Sequence, residues 1–150
     1  MISETKLWKI NKPLLRNHIL LKDRFLNNRN LDLEYLIKNW NNIEIEHIFP
    51  RKLEEYSLNF KELKDYGFKQ NNCSCSYDYN KCRLGNYLFL EKEYNDKASN
   101  QMPDFKNNSY KDSNLINEKE LFRFENFSKD EIDKREKELI QPYLEMYENI

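Results

Sequence analysis

Residues 43–50 read Ile-Glu-Ile-Glu-His-Ile-Phe-Pro, and this run constrains the fold more than any other. Ile43, Ile45 and His47 alternate with Glu44 and Glu46. A period of two places alternate side chains on opposite faces of an extended segment, so the run predicts a strand. Pro50 has no amide proton to donate and ends regular pairing. Leu84-Gly85-Asn86 followed by Tyr87-Leu88-Phe89-Leu90 predicts a turn and a buried strand. Glu91 to Ser99 holds helix-compatible residues without a breaker. Read in order, these pieces give strand, loop, strand and helix, a ββα arrangement.

The flanks are helical in pattern. Pro13 suits the first turn of a helix reaching about Phe25, with Leu14, Leu15, Ile19, Leu21, Phe25 and Leu26 partly at helical spacing. Asn30 can cap a second helix ending near Trp40, with Leu33, Leu36, Ile37 and Trp40 as its buried stripe. Lys52 to Tyr66 holds a short helix closed by Gly67, and Cys73 to Cys82 reads as a loop. The Asn-Asn pairs, and the stretch after Pro103, also read as loops. Ser128 and Glu131 form a capping box before a helix burying Ile132, Leu139, Tyr143 and Tyr147, which Pro142 kinks or ends near Ile140.

The expectation is one mainly helical α+β domain with a small ββα-metal core and flanking helices. Its parts are a helical segment 1–42, the ββα core at about 43–100, and a C-terminal loop and helix over 101–150.

The 150 residues carry a net charge of −1, which gives no global attraction to nucleic acid. Any such binding needs a local basic face. Arg51, Lys52, Lys81, Arg83, Lys92, Lys97, Lys106 and Lys111 are scattered candidates, and Tyr77, Tyr79 and Tyr87 near them could stack on bases, with core packing the favoured role for Tyr87. No run approaches the roughly 18 apolar residues of a membrane span, and Met1 to Trp8 lacks an apolar signal core. A cytoplasmic location is expected. Cys73, Cys75 and Cys82 are an odd set without a fourth zinc ligand, which predicts free thiols.

Glu46-His47-Ile48-x-Pro50, then Leu84-Gly85-Asn86-x-x-x-Leu90, then Asn95 resembles the HNH nuclease motif. The version is that of the C-terminal nuclease domain of GmrSD-type modification-dependent restriction enzymes. Ser99-Asn100, Lys106, Tyr110-x-x-Ser113 and the tail through Ile132, Arg135 and Leu139 follow in the family's order. The resemblance covers roughly Leu31 to Tyr147.

It implies His47 as the general base toward water, and Glu46 with Asn95 as ligands of one divalent cation, Mg2+ or Mn2+. Asn86 would brace the loop and orient His47, while Lys97, Lys106 and Arg51 would steady phosphate. The chemistry suits these types. A phosphodiester repels hydroxide until a cation neutralises developing charge. Mg2+ takes oxygen ligands and keeps waters. Imidazole titrates near neutral pH. Many HNH enzymes carry Asp where this chain has Glu46, whose extra length favours a larger cation. Pro103 stands where the family often has Phe. The family's full-length members add a nucleotide-hydrolysing domain, and no nucleotide dependence is expected of these residues.

The implied activity is DNA endonuclease hydrolysis in defence against foreign DNA, with RNA as an alternative substrate. The competing expectation is a partner-dependent subunit, or a binding module of HNH shape with little activity alone. Taken singly, His47 could be a histidine capping a strand, and Glu46 and Asn95 solvated surface residues.

Overall fold

The computed structural model describes residues 12–27, 33–53, 60–70 and 73–149. The alternating run forms β1 (Ile43–His47). It pairs antiparallel with β2 (Tyr87–Glu91), in the register Ile43 opposite Glu91 and His47 opposite Tyr87. Every residue of β2 is buried, because helices cover both faces of this two-stranded sheet. Two strands alone are marginal in water, so the helices are what hold the sheet.

Ahead of β1 lie α1 (Lys12–Asn27), α2 (Leu33–Asn39) and a 3₁₀ turn, Trp40–Asn42. Leu36 is buried as expected. Leu33, Ile37 and Trp40 are instead 59%, 70% and 44% exposed. The short helix turns Tyr35 and Leu36 inward, and the Tyr35 hydroxyl donates to Glu91 at 3.0 Å. On α1 the inward residues are Ile19 and Leu20, with Leu21 only partly covered. The side chains of Leu14, Leu15, Phe25 and Leu26, the Asn30 cap and residues 54–59 of the Lys52–Tyr66 expectation lie outside the described residues.

Between the strands lie α3 (Phe60–Asp65) and α4 (Tyr77–Asn80), the latter inside the stretch expected as loop. Gly67 adopts φ +93, the left-handed conformation that ends α3. Cys73 and Cys75 form a disulfide and Cys82 is free and exposed, which corrects the expectation of three free thiols. A second 3₁₀ turn, Leu84–Asn86, leads into β2.

After β2 come α5 (Lys92–Ala98), α6 (Pro103–Tyr110), α7 (Glu118–Glu125) and α8 (Lys129–Glu148). The region after Pro103 is helix, not loop. Proline fits the first turn because its missing N–H has no intrahelical partner there. The reciprocal capping box belongs to Asn117 and Glu120. Ser128 does accept from the Glu131 amide at 3.4 Å, but the Glu131 carboxylate turns to Arg123 at 3.0 Å. Pro142 does not end α8. It removes one backbone bond, while the burial of Leu139 and Ile140 keeps the helix docked. Tyr143 is half-buried, and the Tyr147 side chain lies outside the described set.

One core cluster joins Leu88 and Leu90 to Ile48, Phe49, Tyr110, Phe127 and Ile132. The other joins Tyr87 and Phe89 to Ile19, Leu20, Leu36, Leu139 and Ile140. The result is a mainly helical α+β fold around a small antiparallel sheet. Among the described residues no helix is long and apolar enough to cross a membrane.

Candidate active site

His47 ends β1 directly opposite Tyr87, so both rings project from one face of the sheet. Their centroids lie 4.9 Å apart at an interplanar angle of 82°, an edge-to-face contact. The Tyr87 hydroxyl donates to the Cys82 carbonyl at 3.0 Å, which fixes the ring against which the imidazole rests. The Arg16 guanidinium of α1 lies 5.7 Å from the Tyr87 centroid.

His47 is half-buried, and neither ring nitrogen has a hydrogen-bond partner among the described residues. Burial, and then the positive charges of Lys106, Arg51, Arg16 and Lys81, push its pKa from 6.5 down to about 4. That departs from the expectation of a histidine titrating near neutrality. At pH 7 the imidazole is neutral and carries a lone pair, the state a general base needs.

Asn86 is fully buried and clamps the loop after His47. Its Oδ1 accepts from the Phe49 amide at 2.7 Å, and its Nδ2 donates to the carbonyls of Phe49 at 2.9 Å and Lys81 at 2.8 Å. Its own carbonyl accepts from the Ile48 amide at 2.9 Å. The turn bearing Asn86 presses on α8, and a Cβ on Gly85 would stand 2.0 Å from the Ile132 carbonyl oxygen. Arg135 donates to the Gly85 carbonyl at 3.1 Å. Tyr77 donates to the Pro50 carbonyl from the other side of the loop.

Glu46 points to the opposite sheet face. Its side chain is sealed from solvent, and its Oε1 accepts from Lys106 Nζ and from the Tyr110 hydroxyl at 2.7 Å. Lys106 and Tyr110 are four residues apart on α6 and therefore share a helix face. Lys106 also donates to the His47 carbonyl at 2.5 Å. Burial pulls the Lys106 pKa down, against the opposing pull of Glu46.

Asn95 lies on α5, where its Nδ2 donates to Glu44 Oε2 at 2.9 Å. Glu44, like Glu46, faces away from His47. The structure therefore does not bring Asn95 to the imidazole, nor does it join Glu46 and Asn95 in one open pocket. Among the described residues no three His, Cys, Asp or Glu side chains converge as a metal group. In this arrangement the pair expected to hold a divalent cation does not fit one.

The expected phosphate contacts also divide. Lys97 is exposed, pairs with Glu93 at 3.0 Å and lies over Tyr94. Lys106 is consumed by Glu46, which removes it as a direct contact. Arg51 remains beside His47 and exposed. Tyr77 and Tyr87 are buried and Tyr79 is 56% exposed. Arg16 was not legible as a site residue, since nothing local to α1 ties it to the motif.

The histidine-ended strand, its antiparallel return and the helix that follows define a strand–strand–helix unit set in helices. Over residues 3–141 the chain matches the family model of GmrSD restriction endonucleases, C-terminal domain, and it belongs to that family. No curated relative and no solved structure matches it.

Proposed function

We propose that the chain is the nuclease domain of a restriction-type endonuclease that hydrolyses DNA phosphodiester bonds with His47 as general base. The observation that carries this reading is a neutral, half-buried imidazole with unpartnered ring nitrogens, set among Arg16, Arg51 and Lys81, in a member of this family. Those cations favour an anionic phosphate, and the imidazole can accept a proton from water. Water then attacks phosphorus in line, the bond to the 3′ oxygen breaks, and that oxygen takes a proton from solvent. The products are a 5′-phosphate and a 3′-hydroxyl.

Dependence on Mg2+ or Mn2+ belongs to this reading by resemblance alone, and no step is routed through the ion. Defence against foreign DNA in the cytoplasm is the setting that the family's restriction character supports.

A second reading is favoured by the engaged state of Glu46 and the separation of Asn95 from His47. In it the domain is a subunit that needs a protein partner to open or complete the site. One experiment separates the two. Plasmid DNA is incubated with the chain and with His47→Ala, each with Mg2+, Mn2+ or chelator. Cutting by the chain that the variant loses supports the enzyme. A chain that cuts under no condition favours the partner-dependent reading, and equal cutting by the variant removes His47 from the chemistry.

A further inference from the structure

The described arginines fall into two groups. Arg24 is held by Asp23 and Glu120, Arg83 by Asp133 and Glu136, Arg123 by Glu131 and Glu138, and Arg135 by Asp23. Arg16 and Arg51 have no carboxylate partner among the described residues. The side-chain contact of Arg16 with a neighbour is a 3.5 Å bond to Asn17 Oδ1, at the outer limit of such bonds. In a chain of net charge −1, with carboxylates in slight excess, unneutralised guanidinium groups are conspicuous. Both lie at His47. Arg51 follows it in the loop that Asn86 clamps. Arg16 reaches it from α1, over the Tyr87 ring that the imidazole also touches.

We propose that Arg16 is a phosphate-binding residue of the His47 site, and that it forms with Arg51 a two-armed cradle for the nucleic-acid backbone. This deepens the nuclease reading and rests on it for the identity of the anion. Two arms on separate elements favour a ligand that enters between them. Guanidinium suits the task because its planar fork matches phosphate oxygens. The aromatic face beneath Arg16 holds the group in place, and its terminal N–H donors have no partner among the described residues. Lys81 adds charge, but it is shared with Asp78 at 2.8 Å. The stacking contact also makes α1 part of the site, although it lies outside the strand–strand–helix unit.

The test is direct binding, with no cleavage readout. A fluorescently labelled DNA duplex is titrated with the full chain in chelator, at several salt concentrations, and anisotropy is followed. Variants are Arg16→Gln, Arg16→Lys, Arg51→Gln and the exposed control Lys137→Gln, each checked for folding by circular dichroism. Losing one phosphate contact should lower the slope of log affinity against log salt by about 0.9. Arg16→Gln and Arg51→Gln should each show this, with affinity down several-fold. Arg16→Lys should recover part of the loss, and Lys137→Gln should match the parent. An Arg16→Gln variant with parental affinity and slope overturns the proposal. So does a parent chain that fails to bind duplex at low salt. If Arg16→Gln fails to fold, Arg16→Met, which keeps an apolar stem over Tyr87, takes its place, and parental affinity and slope in that variant overturn the proposal. Plasmid cutting by a chain whose Arg16→Gln variant binds normally sinks this inference and leaves the nuclease reading standing. Binding that depends on Arg16, in a chain that never cuts, does the reverse.

Discussion

Lys106 Nζ meets the carboxylate of Glu46 where neither side chain reaches solvent. A buried ion pair tolerates joint replacement by apolar residues far better than loss of one member, which strands the other charge. Glu46→Gln should therefore destabilise the fold by about 3–5 kcal/mol, while Glu46→Leu with Lys106→Met should recover most of it. Urea unfolding of the two variants and the parent checks this. Equal stability of Glu46→Gln and the parent would mean that Glu46 is not held as a structural counter-ion.

His47 carries a pH signature. Its pKa is lowered from 6.5 to about 4, so between those values the unfolded chain binds a proton that the folded chain does not. Stability from this group is complete above pH 6.5 and is lost as pH falls toward 4. For a half-exposed ring the effect, after screening, is on the order of 1 kcal/mol. His47→Gln should flatten that part of the stability curve. NMR titration of the His47 ring gives the pKa itself, and a value near 6.5 would contradict the cationic, half-buried setting.

Asn86 joins three backbone groups, two of Phe49 at a buried position and one of Lys81 at a partly buried one. Asn86→Ala should leave the Phe49 amide and the Phe49 and Lys81 carbonyls short of partners, and destabilise by about 2–4 kcal/mol. Asn86→Asp should be as damaging, because a carboxylate can accept from Phe49 N but cannot donate to two carbonyls. Thermal unfolding measures both. If Asn86→Asp matches the parent, the donated bonds carry little weight.

Asn95 separates the observed packing from the implied metal role. Its bond to Glu44 is half-exposed, so Asn95→Ala should change stability by less than about 1 kcal/mol. If the packing seen here persists with DNA bound, plasmid cutting is unchanged. Loss of cutting in a stably folded variant would show that α5 carries Asn95 into the site when substrate binds.

Much of the central unit is legible locally. The alternation of Ile43, Glu44, Ile45, Glu46 and His47 suffices for β1, and the apolar run Tyr87–Leu90 suffices for β2. Both signals depend on neighbours a few residues away. The ordered motif, His47 through Asn86 to Asn95, likewise points to the family that the chain matches. Pro103 misleads locally, because a proline followed by paired asparagines reads as loop. There the helix forms with Pro103, Lys106 and Tyr110 buried, and the last two satisfy Glu46.

The amino-acid order by itself determined the strand pair, the helix that follows it and the residue types gathered into the motif, since period and turn chemistry act over short range. Tertiary structure decided what those residues face. Glu46 is sealed because α6 lies over it, and Arg16 reaches His47 because α1 packs against β2. Such pairings join positions far apart in the chain, and their free energy depends on burial and charge that exist only once the helices have docked.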